Sequence, residues 1–134
     1  MTEIGVEQIT LRRQSRVLEV RFADGATHAL PCEYLRVNSP SAEVQGHSPA
    51  ERVLVMGKAN VQILRVEPVG QYAVRLVFDD GHDSGLYTWK YLRELALERD
   101  ARWRDYQRRL AAATAQASGD ESPKQRSPDK ERPG

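Results

Sequence analysis

The stretch Phe78-Asp79-Asp80-Gly81-His82-Asp83-Ser84-Gly85-Leu86-Tyr87-Thr88-Trp89-Lys90-Tyr91-Leu92 constrains the fold more than any other part of the chain. An apolar run, Val74 to Phe78, enters an Asp80-Gly81 turn, returns through a short second run and passes at Thr88 into the longest helical pattern in the sequence. A two-residue loop that matches the twist of its strands needs positive φ, which glycine adopts freely and aspartate tolerates. Asp-Gly between apolar runs therefore predicts a tight hairpin. Strand, turn, strand and helix meet within these residues, and one of only three histidines, His82, lies among them beside Asp83 and Ser84.

The same grammar is written earlier in the chain. Val17-Leu18-Glu19-Val20-Arg21-Phe22 alternates apolar and charged residues with the period of two that gives a strand one buried face. Ile9-Thr10-Leu11-Arg12 and Thr27-His28-Ala29-Leu30 flank it as further antiparallel strands, joined by the polar Arg12-Arg13-Gln14-Ser15-Arg16 turn and by Asp24-Gly25. Pro31-Cys32-Glu33-Tyr34-Leu35-Arg36 predicts one or two helical turns, with Pro31 at the first helical position and Tyr34 and Leu35 facing the sheet. Leu18 to Phe22, Asp24-Gly25, Leu30 and Tyr34-Leu35-Arg36 thus echo Val74 to Phe78, Asp80-Gly81, Leu86 and Tyr91-Leu92-Arg93, with a one-residue slip before the helix. Generic hairpin chemistry is the competing explanation of the match. A true repeat predicts an α+β fold in which two strand–turn–strand–helix units pack as a small, mainly antiparallel sheet covered by helices.

Between the halves, Asn38 to Asn60 is the least regular part, with Ser39-Pro40 and Ser48-Pro49 each placing a capping residue before a proline and Ser48 and Glu51 at capping-box spacing. Val61 to Val66 resumes a strand pattern, Pro68-Val69-Gly70 breaks it, and Tyr72 to Phe78 alternates again. From Thr88 to about Ala113 a long C-terminal helix places Trp89, Leu92, Ala96, Trp103, Tyr106 and Leu110 on one stripe, with Arg99 its only charged member. The first half of that stripe covers the sheet; Trp103 and Tyr106, flanked by Arg102, Arg104, Arg108 and Arg109, are candidates for a partner contact. Ser118 to Gly134 holds no large apolar residue to offset its ordering entropy. The expected organisation is one domain over residues 1–113 and a disordered polar tail over 114–134.

Charged residues make up 29% of the chain but the net charge is only +1, so no overall basic field points to nucleic acid or an anionic membrane surface. No apolar stretch approaches the roughly twenty residues that span a bilayer. The start of the sequence lacks the basic and apolar regions of an export signal, and Cys32 is the only cysteine, so the expected location is cytoplasmic. His82-Asp83-Ser84 has the residue types of a hydrolytic triad, but neighbours in a strand point to opposite faces and cannot relay a proton. Cys32 with Glu33 and His28 has the types of a nucleophile and its partners, yet a lone cysteine beside an apolar run is more often a small packed residue. Without a phosphate loop or paired histidines at ligand spacing, the residues favour a protein that is not an enzyme. The alternative they leave open is a small metal-binding protein using His82 with Asp80, Asp83 or Cys32, with iron as a candidate metal.

Leu30-Pro31-Cys32-Glu33-Tyr34-Leu35-Arg36-Val37-Asn38-Ser39-Pro40-Ser41-Ala42-Glu43 and Phe78 to Leu92 together resemble the gamma-butyrobetaine hydroxylase-like N-terminal domain family, over roughly Ile9 to Leu97. The motif positions are Tyr34, Leu35, Arg36, Asn38, Ser39, Ser41, Gly81, His82, Ser84, Gly85, Tyr87 and Trp89. Such domains stand alone in small bacterial proteins, precede Fe(II)/2-oxoglutarate dioxygenase domains, or are appended to Mrp-type iron–sulfur carriers. The resemblance therefore implies an accessory module with a protein partner in iron–sulfur assembly or an iron enzyme. In the dioxygenase relatives the domain holds zinc through three cysteines and a histidine, and those positions fall here on Ser39, Ser41, Val44 and His82. Hydroxyls and an aliphatic side chain do not replace thiolates, so the zinc site is expected to be absent. A structural His82 would then be fixed by a hydrogen bond within the hairpin or to the chain near Asn38-Ser39, in the Asn38–Ser41 segment.

Overall fold

The computed structural model describes residues 5–41, 44 and 54–121, with the side chains of 116–121 excepted. The capping-box pair Ser48 and Glu51, and the tail from residue 122 on, lie outside the described residues. The chain divides into two compact units, Met1–Asp100 and Ala101–Gly134.

In the first unit, strands β1 (Val6–Arg12), β2 (Val17–Phe22) and β3 (Thr27–Pro31) form an antiparallel sheet in that order, followed by helix α1 (Cys32–Val37). Strands β4 (Ile63–Val69), β5 (Ala73–Phe78) and β6 (Leu86–Thr88) form a second antiparallel sheet, again in chain order, followed by helix α2 (Trp89–Leu97). The fold is α+β, and its strands divide into two sheets of three rather than one. Period two puts Leu18, Val20 and Phe22 on the wholly buried face of β2. In β5 the run is apolar on both faces, and Ala73, Val74, Leu76, Val77 and Phe78 are all buried. Each fully buried Leu or Phe stabilises by roughly 1.5 to 3 kcal/mol, so these strands with Leu30, Leu35, Leu92 and Leu95 make the core.

The two halves are equivalent down to individual hydrogen bonds. Gly25 and Gly81 hold φ of 92° and 93° and donate to the carbonyls of Phe22 and Phe78. The Ala26 amide donates to Asp24 Oδ1 and the His82 amide to Asp80 Oδ1, both at 3.1 Å. Phe22 N–H reaches the Ala26 carbonyl as Phe78 N–H reaches that of His82, and edge strands β1 and β4 each carry a register shift at their second residue. Side chains are then exchanged between halves. Arg36 of α1 pairs with Asp80, while Arg93 of α2 pairs with Asp24. The Tyr34 hydroxyl donates to the Leu95 carbonyl at 2.6 Å, while the Tyr91 hydroxyl donates to that of Asn38 at 2.5 Å. Such reciprocity, residue i on j and j on i, is the signature of a two-fold relation, and it identifies the sequence echo as a structural repeat.

Two boundaries differ from the sequence reading. Pro31 stays extended at ψ 146° as the last residue of β3, paired with Val17, and the helix starts at Cys32. The long helix is two: Thr88 caps α2 by accepting from the Tyr91 amide at 3.0 Å, and the helix stops where Glu98 turns to φ −101°, ψ 15°. Helix α3 (Arg99–Glu121) then begins at the charged member of the stripe, and Arg99 Nη1 donates to the Ala29 carbonyl instead of entering the core. In the second unit α3 continues past Ala113 to Glu121, carried by the alanine-rich run Ala111 to Ala117, whose helix propensity is high.

Candidate functional site

The halves differ where α1 ends and where the second hairpin opens. Helix α2 runs on to Leu97, whereas α1 stops at Val37, because Pro40 disfavours helix at Ser39 and Asn38 is already at φ −107°, ψ 23°. The Asn38 side chain closes the helix end by donating to the Tyr34 carbonyl at 3.0 Å. In the second hairpin Asp83 is the extra residue: strand pairing makes Tyr87 the counterpart of Leu30, where the sequence echo matched Leu30 with Leu86 and put the slip after it. Thr27 and His28 pair with β2, but their counterparts Ser84 and Gly85 pair with no strand; β6 begins only at Leu86. The freed segment 82–85 meets the freed segment 38–41.

That junction is built from polar groups, with Asn38, Ser39, Ser41 and His82 buried and Ser84 exposed at its rim. Ser39 Oγ and His82 Nε2 lie 2.8 Å apart, and both residues are buried. The hydrogen bond expected between His82 and the Asn38–Ser41 segment is therefore present. Ser39 Oγ also accepts from the Ser41 amide, and Ser41 Oγ lies 2.7 Å from Ser84 Oγ. The Tyr87 hydroxyl, wholly buried, donates to the Leu35 carbonyl at 2.6 Å, and burial pushes its pKa far above the ordinary phenol value. Gly85 allows the approach, since a Cβ there would sit 2.6 Å from Ser39 Oγ and 3.0 Å from the Tyr87 ring.

Asp80 pins the turn beside it. Its Oδ2 accepts from Arg36 Nε at 2.9 Å and lies 2.7 Å from Lys58 Nζ. Burial pushes the carboxyl up, but the hydrogen bonds from Lys58, the His82 amide and Arg36 outweigh it and hold the pKa at about 2. Arg36 Nη1 is buried without an acceptor among the described residues, so Asp80 is the main compensation for that guanidinium. Asp79 adds a second pin, exchanging hydrogen bonds with the Gln62 main chain.

The sequence profile of the gamma-butyrobetaine hydroxylase-like N-terminal domain matches residues 9–93. The chain belongs to that family. Two NMR solution structures resemble it closely: one at 47% identity and TM-score 0.74, covering 97% of this chain and 95% of the other, and one at 48% and 0.73, covering 95% and 87%. A crystal structure of a protein of unknown function from Acidithiobacillus ferrooxidans is 43% identical with TM-score 0.56 over 69% of this chain and 92% of its own. No curated protein matches the chain.

The motif residues of this gamma-butyrobetaine hydroxylase-like domain fall together. Tyr34, Leu35, Arg36 and Asn38 form α1 and its cap, Ser39 and Ser41 face His82 and Ser84, and Gly81, Gly85 and Tyr87 shape the opposing hairpin. Trp89 lies apart, its indole N–H donating to the Gln71 carbonyl. At the positions where dioxygenase relatives hold zinc, the donors do not fit a metal: Ser39 is engaged with His82, Ser41 with Ser84, and Val44 is a buried aliphatic residue. Among the described residues no three His, Cys, Asp or Glu converge on one point. Cys32 is buried, which raises its thiol pKa, and Asp83 is exposed. In the second unit the Trp103 and Tyr106 rings lie 5.3 Å apart, Tyr106 buried and Trp103 half-buried. No helix among the described residues is long and apolar enough to cross a membrane. Sequence reasoning missed Lys58, Tyr91 and the ion pair of Asp80; the echo of Tyr-Leu-Arg in both halves was the available signal for Tyr91 alone.

Proposed function

We propose that the chain is a non-catalytic accessory module of the cytoplasm that acts through a protein partner in iron–sulfur assembly or on an iron enzyme. One observation carries the non-catalytic part: the buried Ser39–His82 hydrogen bond, with Ser41–Ser84 beside it, commits the chemically able residues to fastening two segments. A serine hydroxyl on a histidine Nε2 is also the arrangement of an activated nucleophile, but a nucleophile must meet its substrate, and Ser39 is wholly buried with its Oγ also accepting from the Ser41 amide. The partner class rests on the company that gamma-butyrobetaine hydroxylase-like domains keep. Near-neutral charge argues against nucleic acid.

Trp103 and Tyr106, with the arginines around them, are the residue types that dominate protein interfaces. The test is affinity capture from cells with the full chain and with Trp103→Ala/Tyr106→Ala, with helicity checked by circular dichroism. Recovery of an iron–sulfur or iron-enzyme protein by the wild type and its loss in the variant are expected; recovery of no iron-related protein would overturn the reading. A stoichiometric metal in untagged protein, lost on His82→Ala, would replace it with a small metal-binding protein.

A further inference from the structure

The junction leaves unexplained a groove of about 500 Å³ on the first unit, between the outer edges of β1 and β4. Gln8 and Ile9 line one side; their counterparts Arg65 and Val66 line the other. Consecutive strand residues point to opposite faces of a sheet. A cavity touched by both members of each pair therefore runs along the strand edges, and it extends over the second sheet as far as Val74 of β5 and Trp89. Each strand is the outer member of its sheet, and an outer strand carries a row of main-chain N–H and C=O groups with no neighbour to pair with.

The two edges are not equally open. Arg13 Nη1 and Nη2 donate to the carbonyls of Ile63 and Leu64 at 3.3 and 3.0 Å, and Pro68 has no N–H, so β4 is blunted at both ends. Past its bulge at Glu7, β1 is regular from Gln8 to Arg12, and among the described residues no hydrogen bond from outside its own sheet reaches it. The groove is apolar in its middle, with Ile9 and Leu11 half-buried and Leu64 exposed, and charged at its ends, with Arg13 at one and Glu7 at the other.

We propose that β1 accepts an extended peptide segment of a partner protein in this groove, added antiparallel to it. The segment places β-branched side chains between Ile9, Leu11 and Leu64, an acidic residue at its N-terminal end beside Arg13, and a basic residue at its C-terminal end beside Glu7. An extended backbone is the ligand that matches a row of free main-chain groups, and apolar pockets on either side select alternate side chains. The proposal rests on the reading of the chain as a binding module and names the chemistry of what it binds.

The test titrates the acetylated, amidated peptide Asp-Val-Thr-Val-Thr-Val-Lys into the ¹⁵N-labelled full chain. Saturable shifts confined to residues 8–13 and 63–68, with slowed exchange of alternate β1 amides, are expected. Of two peptides N-methylated on alternate residues, at least one should bind at least about tenfold more weakly, because methylation of the residues that face β1 removes several main-chain hydrogen bonds at once. The charge-reversed peptide, Lys first and Asp last, and the variant Leu64→Glu, exposed and so harmless to folding, should each bind more weakly as well. No shifts at millimolar peptide would overturn the proposal. So would N-methylation without effect, the mark of a pocket for apolar small molecules, and so would concentration-dependent shifts in β1 without peptide, the mark of a second copy on that edge. If the peptide fails to bind while the chain still captures an iron-related protein, the groove proposal falls and the module reading stands.

Discussion

The two hairpin turns of the first unit began from the same plan and serve different ends. Asp24-Gly25-Ala26 and Asp80-Gly81-His82 share the aspartate that caps its own turn, the glycine near φ 92° and the pairing arginine from the other half. The first turn closes at once into β3 and carries nothing more. The second has one residue inserted, Asp83, which unpairs Ser84 and Gly85 and turns them toward a helix end cut short by Pro40. Where the halves agree, residues hold the scaffold; where they depart, they assemble the junction. The candidate site is a local departure from a repeat.

The sharpest way to break the comparison is at its closest approach. Gly85→Ala drives a Cβ to 2.6 Å from Ser39 Oγ and against the Tyr87 ring, and is expected to cost about 2 to 3 kcal/mol, lowering Tm by roughly 10 °C or more. Gly25→Ala meets open space and suffers only from its positive φ, for about 1 kcal/mol. Thermal melts of the two variants should rank in that order; the reverse would mean the junction is loose.

The aspartates separate next. The folded pKa of Asp80 is about 2, below its unfolded value of 3.8. Its contribution is therefore complete above pH 3.8 and is lost as pH falls from there through 2. The shift corresponds to about 2 kcal/mol. Asp80→Asn should remove that amount at neutral pH and flatten the acid limb of the stability curve. The pKa of Asp24 is also lowered, mainly by its hydrogen bond from Arg93, but it is solvent-exposed, so Asp24→Asn should change denaturant midpoints much less.

Much of this was legible in the sequence, and the limits are physical. Period two in Leu18 to Phe22 and in the residues leading to Phe78, with Asp-Gly after each, specified strands and turns because those signals are local. Tyr-Leu-Arg in both halves marked the repeat. That Arg36 reaches across to Asp80 and Arg93 to Asp24 was not legible, because side-chain exchange between halves depends on how they pack. The break at Glu98 went unread because the apolar stripe continues on either side of it. At the junction, Ser39 and His82 could be paired from the family's ligand positions, while Lys58 lies in the least regular stretch, where no pattern points to a partner.

His82→Ala tests whether the junction holds as a unit. It is expected to cost about 1 to 2 kcal/mol, in the lower part of the range for a buried partner left unpaired, because Ser39 Oγ keeps the Ser41 amide. A double-mutant cycle with Ser39→Ala should give a coupling of at least about 0.5 kcal/mol; additivity would mean that the 2.8 Å contact contributes nothing. Tyr34→Phe and Tyr91→Phe probe the shared scaffold instead. Each removes one hydroxyl from a carbonyl of the opposite half, so each should cost about 1 kcal/mol, and equal losses would support the two-fold relation.

The smallest expected effect is none at all, and it bears on why the departure persists. A structural zinc ion contributes its binding free energy to folding, so a chelator in excess unfolds or softens any domain that depends on one. Here the positions where the resemblance to dioxygenase members implies three cysteines hold Ser39, Ser41 and Val44, and the two serines are hydrogen-bonded to the hairpin that would supply the fourth ligand. The same two segments are tied, but by neutral hydrogen bonds whose strength does not depend on a bound ion. Melts of untagged protein with and without saturating chelator should coincide, and added zinc should not raise Tm. A chelator-induced drop of a few degrees, corresponding to about 1 kcal/mol, would show that the serine junction is not what joins the two segments.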